Sequence, residues 1–339
     1  MTLRNVAAIV FLIAAALASP DAASAQTKVR FTLDWVPGAT HGAFFIALQK
    51  GYYKQEGLDV TIDRGKGSAE VVRQLASGVY DMGFPDINVV IDFDSKNPDQ
   101  AFPVLMSGYE EAPAAIMFLK SSGITEPKQL DGKKLGVAPN DSTFKLFPIF
   151  AKQAGIDLST VNITSVDPSL REALLAQKKV DAAPGQFFNS FMELQAKGVP
   201  ASDIGHFMYK DYGLPLYSNS VAASRSFLKE HPDAVRGFIR ATLKGLKDMV
   251  RDPEEAVKAA VAYEPLLDPD VERRRLRIAM DCCIITDTVR KQGFGDVDPA
   301  RLDKVIDQIT DAYKLPRKVS RQEVFDPQYL PPASERMVN

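Results

Sequence analysis

The chain has 339 residues, a formal net charge of −2 and 25% charged residues. That length exceeds one ordinary domain and predicts two lobes, and the composition excludes a disordered chain. The near-neutral balance, with no basic stripe, gives no electrostatic case for a nucleic-acid partner.

At the amino end, Arg4 precedes the apolar run 6–18, the breaker Ser19-Pro20 and the small residues Ala23-Ser24-Ala25. The pattern predicts a secretory signal peptide over 1–25, cleaved after Ala25, because the run is shorter than the ~20 apolar residues of a membrane span. No later run is long enough to span, so the mature chain is expected to be soluble and periplasmic.

Alternation of Val29, Phe31 and Leu33 predicts a strand over 28–35, followed by the loop 36–42. A helix is expected over 43–55, ended by Gly57, and a strand over 58–62. The turn Gly65-Lys66-Gly67-Ser68 leads into a helix over 69–77, with Ser68 as its N-cap. A strand over 80–84, a helix opened by Pro85-Asp86 and a strand over 103–109 complete the first set. A second set follows: strands over 115–119, 134–137, 161–166 and 182–184, with helices over 144–153, 168–178 and 186–197. Strand, turn and helix at this spacing build parallel βαβ units.

The predicted crossing into the second set is 110–113 and the return is 209–217, where Gly213 and Pro215 permit a bend. A strand over 219–223 and helices over 232–250, 253–263, 270–283 and 298–313 follow. The expected organisation is 26–110 and 211–339 in the first lobe with its carboxy-terminal helices, and 111–210 in the second. The only cysteines, Cys282 and Cys283, are adjacent. A bridge between neighbours closes a strained small ring, so a structural disulfide is not expected and at least one of the two is read as a buried small hydrophobe. His41, His206 and His231 are scattered without ligand spacing, so neither a metal nor another cofactor is expected.

Four stretches, 31–35, 44–60, 74–83 and 130–137, resemble the ABC-transporter substrate-binding proteins of the sulfonate, nitrate and thiamin-pyrimidine type. The most telling is Lys50-Gly-Tyr-Tyr followed by Glu56-Gly-Leu-Asp-Val. The resemblance implies an α/β type II periplasmic-binding-protein fold, with a ligand cleft between two lobes. It further implies a monomer that captures a small molecule and delivers it to an ABC permease in the inner membrane.

In open α/β sheets, ligands sit beyond the carboxyl ends of strands, and the candidate ligand-binding residues lie on those loops. They are Trp35, read as a stacking surface or a packing aromatic, with Thr40 and His41 on the next loop. Gly67-Ser68 and Ser142-Thr143 precede helices, where free N–H groups either hold an oxygen or are simply capped. Pro85 and Asp86, Tyr109, Gln186, Phe187 and Asn189 complete the set. Flat surfaces with few directional polar groups suit a pyrimidine-like ring. A sulfonate, nitrate or aromatic carboxylate is the alternative, weakened because no arginine has an obvious cleft position.

The same fold carries pyrimidine synthases, which the resemblance says have a lysine and a histidine after the Asp-Met-Gly turn and a later cysteine cluster. Here those places hold Pro85, Val89 and the segment 213–218, so a non-enzyme is expected. No Gly-x-Ser-x-Gly elbow or phosphate loop is present.

Overall fold

The computed structural model describes residues 26–338; the predicted signal peptide lies outside the described residues. The strands are β1 (Thr27–Thr32), β2 (Leu58–Asp63), β3 (Met82–Gly83), β4 (Val104–Ser107), β5 (Ala114–Leu119), β6 (Lys134–Val137), β7 (Asn162–Ser165), β8 (Ala182–Gln186), β9 (Ile204–Met208) and β10 (Ser220–Ala223). They form two five-stranded sheets, ordered β2-β1-β3-β10-β4 and β7-β6-β8-β5-β9. The first sheet takes four strands from before the crossing and one from after the return. In each sheet parallel pairs lie to one side and antiparallel pairs to the other. This is the type II periplasmic-binding-protein fold, an α/β architecture of two lobes.

The local reasons are visible in the strands. β2 alternates buried and exposed residues along its whole length, as a half-covered strand does. β5 is buried throughout because it runs between β8 and β9 and is covered on both faces.

The helices that matter for the site are α1 (Gly42–Gln49), α2 (Ser68–Ala76), α3 (Ile87–Lys96), α4 (Ser142–Ala154), α5 (Arg171–Ala176) and α6 (Phe187–Ala196). After the return come α7 (Pro232–Arg251), α8 (Pro253–Tyr263), α9 (Pro269–Ala279) and α10 (Pro299–Tyr313). α7 lies against α1 over the first sheet, where Phe31 meets Phe44 at 4.7 Å and Phe238 at 5.0 Å between ring centroids. α10 packs on both α3 and α4, so the carboxy-terminal region touches both lobes rather than the first alone.

The two connections between lobes run side by side. Ala112 N–H donates to Leu216 O at 3.0 Å, and Ser218 N–H donates to Tyr109 O at 3.2 Å. Arg301 on α10 donates from Nε to Pro215 O at 2.8 Å and from Nη2 to Glu110 O at 2.8 Å and Leu216 O at 3.0 Å, and pairs with the Glu110 carboxylate.

Several elements differ from the sequence expectation. The first helix breaks at Gly51, whose φ of 71° is left-handed. Gly67, not Ser68, is the cap residue of α2. β9 was not anticipated. The helix expected to reach Cys283 stops at Ala279 and continues as a π-helical turn, Met280–Ile284. Cys282 and Cys283 form a vicinal disulfide on that turn, contrary to the ring-strain expectation. They sit on the wider turn rather than within the regular helix the spacing predicted; Cys283 is fully buried, as expected.

Candidate functional site

The carboxyl ends of β1 and β3 and the amino ends of α2 and α4 face each other between the sheets. The cavity they enclose has a volume of about 10 Å³ and is lined by Trp35, Gly67, Ser68, Ser142, Gln186 and Asn189, with Asp34, Asp141 and Arg171. That is room for about one water, so a six-membered ring enters only if the lobes part. Closure is tight at Gly67: a Cβ there would stand 2.5 Å from the Asn140 carbonyl of the other lobe. Beside it, Ala69 N–H donates to Asn140 O at 3.2 Å and Arg73 donates to Asn140 Oδ1 at 3.2 Å. Gln186 reaches back from the second lobe to Asn219 Oδ1 at 2.9 Å and accepts from Asn189 at 3.2 Å.

Two buried polar clusters frame the cavity. On the first lobe, Asp34 Oδ1 is 3.0 Å from His41 Nε2. On the second, Arg171 is bound by Asp141 at 2.5 Å and Glu172 at 2.7 Å, and donates to Ser190 Oγ at 3.2 Å. Burial works against the charge on Arg171, but Glu172 and Asp141 outweigh it and hold its pKa above the ordinary guanidinium value. Asp141 also caps α4, accepting Thr143 N–H at 2.7 Å.

Of the sequence candidates, Trp35, Gly67, Ser68, Ser142, Gln186 and Asn189 share the cavity wall. Thr40 lies on an adjoining opening of about 170 Å³, which Trp35, Arg171 and Asn189 also line. The rest lie behind the wall. His41 is only 3% exposed, packed edge-on to Phe45 and Phe84, so it braces Asp34 rather than facing the gap. Tyr109 is buried against Phe84 and Phe188, its hydroxyl directed at Thr40 O. Thr143 is buried and its carbonyl accepts the Tyr209 hydroxyl at 3.1 Å. Phe187 turns away to Phe191 and His206.

Pro85 is taken up by the sheet edge, its carbonyl accepting Ser220 N–H at 2.9 Å. Asp86 is buried as the α3 cap, accepting from Asn88 N–H at 2.8 Å, the Asn88 amide at 2.7 Å and Ser218 at 3.0 Å. Burial pushes its carboxyl up to about 6, against the lowering effect of those donors. Its own N–H donates to Ser68 Oγ at 3.1 Å, so it supports the wall from behind.

Asp34, Asp141 and Arg171 were missed. Asp141 stands one place before Ser142 and was within reach of a capping argument, whereas Asp34 adjoins Trp35 but caps no helix. The expectation that no arginine has a cleft position is corrected by Arg171. Its place depends on the turn Pro168–Leu170 aiming α5 inward, which apolar spacing does not reveal.

A sequence model described as NMT1/THI5 like matches residues 39–256, more than half of the chain. The formylaminopyrimidine-binding protein of Halalkalibacterium halodurans is 26% identical over 81% of this chain and 83% of its own length. The 4-amino-5-hydroxymethyl-2-methylpyrimidine phosphate synthase THI11 of Saccharomyces cerevisiae is 28% identical over 73% of this chain and 74% of its own. Among solved structures, the alkanesulfonate-binding protein SsuA from Xanthomonas axonopodis pv. citri, bound to MOPS, superposes with a TM-score of 0.69. It covers 90% of this chain and 99% of its own at 15% identity.

Proposed function

The chain belongs to the NMT1/THI5-like family, and from that premise we propose that it is the periplasmic solute-binding component of an ABC importer. It captures a small amino-bearing, pyrimidine-like ring by lobe closure and delivers it, as a monomer, to a permease of the inner membrane. The observation that carries the ligand class is the charge balance of the cleft. Two carboxylates, Asp34 and Asp141, line the cavity beside the indole of Trp35, and its one guanidinium, Arg171, is already held by Asp141 and Glu172. A flat ring that donates N–H bonds fits such a lining. An anion fits less well, because Arg171 is already neutralised by Asp141 and Glu172. Capture then follows from the ligand bridging the lobes and shifting the population toward closure.

We read the chain as non-catalytic although synthases are among its relatives. Pro85 and Val89 stand where the resemblance expects the synthase lysine and histidine, so the nucleophilic amine has no counterpart.

Calorimetric titration of the mature chain tests the proposal, using 4-amino-5-hydroxymethyl-2-methylpyrimidine, its formylamino analogue, MOPS and nitrate. Saturable binding of the aminopyrimidines, weakened about tenfold or more by Trp35→Ala, is expected. Tighter binding of the sulfonate overturns the ligand class. Turnover in the presence of iron or pyridoxal phosphate overturns the non-catalytic reading.

A further inference from the structure

Behind the contact that closes the cleft, a groove of about 520 Å³ runs between the lobes. One wall is Val72 and Arg73 of α2 with Val89 and Phe93 of α3; the other is Phe144 and Lys145 of α4. Tyr313 of α10 closes one end, its hydroxyl donating to Lys145 O. The volume is that of a small-molecule site, and the lining is mainly apolar with a few polar groups.

The charges are one-sided. Asp92 on the wall is paired with Lys96 at 2.6 Å, so those two cancel. Among the described residues, Lys145 forms no ion pair, and Arg73 donates only to the neutral Asn140 side chain. Asn88, which is 1% exposed, also lines the groove, and its Oδ1 is buried with no hydrogen-bond partner. An unpaired buried acceptor is costly, and a donor on an occupant would satisfy it.

We propose that this groove is a second ligand site, for a small amphipathic anion with an aromatic or medium-chain apolar body. The body packs on Val72, Val89, Phe93 and Phe144, and the anionic head sits between Arg73 and Lys145. The walls belong to different lobes, and the Ala69–Asn140 and Arg73–Asn140 bonds cross the gap beside them. An occupant therefore favours the closed arrangement, in proportion to its preference for facing walls.

The probe is 8-anilinonaphthalene-1-sulfonate, titrated by fluorescence into the full mature chain. One saturable site is expected. Lys145→Glu, on an exposed side chain, weakens it about tenfold, Val89→Phe weakens it by filling the groove, and excess 4-amino-5-hydroxymethyl-2-methylpyrimidine leaves it bound. The Ala69 amide, followed by hydrogen exchange, is slower with the probe bound. Affinity unchanged in Lys145→Glu overturns the site, as does displacement of the probe by the aminopyrimidine, which assigns the probe to the cleft. Unchanged Ala69 exchange overturns the link to closure. If Val89→Phe fails to fold, Lys145→Glu still decides.

Discussion

The Arg171 guanidinium lies 5.4 Å from the centroid of the Trp35 indole, the two belonging to opposite lobes. The contact joins the aromatic surface of one wall to the buried ion cluster of the other. Arg171→Gln leaves Asp141 and Glu172 as uncompensated buried charges, which typically costs about 3–5 kcal/mol. Denaturant unfolding should read that loss. Trp35 is the only tryptophan, so its emission reports the cleft alone, and a red shift in the variant is expected as the indole gains water. Native stability and unshifted emission in Arg171→Gln would mean that the two residues do not meet.

Gly67 combines a φ of 115° with contact against Asn140 of the other lobe. A methyl group there has to push the lobes apart, because the neighbour it meets is backbone. Gly67→Ala should raise the radius of gyration in small-angle scattering and lower cleft affinity about tenfold or more. Its backbone, at φ 115° and ψ 146°, lies in a region nearly confined to glycine, so the backbone cost alone is on the order of 1–3 kcal/mol. Gly51→Ala is the control for positive φ alone: Gly51 is left-handed, with φ 71° and ψ 22°, and has nothing within 4 Å of the added carbon, so it should strain the chain without opening the cleft.

Asp86 makes the stability of the fold depend on pH in the opposite sense from an ion-paired carboxylate. Its folded value of about 6 lies above the ordinary 3.8. Below pH 3.8 both states are protonated and the group is neutral to stability. As the pH rises toward 6, the unfolded chain ionises first and folding is penalised. Above about 6 the penalty is complete, on the order of 3 kcal/mol. Asp86→Asn keeps an acceptor for Asn88 and cannot ionise. Its stability relative to the parent should therefore rise between pH 4 and 6 and then level off, which urea titrations across that range would read. A constant difference with pH would show that Asp86 does not titrate there.

The two-lobe architecture was legible because it rests on period: Val29 and Phe31 alternate, and the helices that become α7, α8 and α10 repeat apolar residues at helical spacing. β9 escaped because His206 is flanked by Gly205 and Phe207, which leaves no clean alternation. The near side of the cleft was legible where a glycine or a small hydroxyl residue lies between a strand and the helix that follows it, as at Gly67 and Ser142. What could not be read is which side of a loop faces the gap. His41 and Tyr109 lie within reach of it in sequence but are turned into an aromatic cluster with Phe84. Arg171 is the reverse case, a charged residue whose burial only its tertiary partners Asp141 and Ser190 can explain.

Arg301 is the last structural relationship with a consequence for closure. A single side chain from α10 holds both connections between lobes, through Glu110 on the outgoing one and Pro215 and Leu216 on the return. Its guanidinium also lies 4.0 Å from the Tyr217 ring centroid. A lysine can keep the charge beside Glu110, but it lacks the planar fork that reaches three carbonyls at once. Arg301→Lys should therefore cost about 1–3 kcal/mol through the unsatisfied carbonyls. It should also speed hydrogen exchange at the amides of Ala112 and Ser218, which carry the bonds between the two connections. Slowed rather than accelerated exchange at those amides would count against Arg301 as the pin, because lobe motion would then be limited elsewhere.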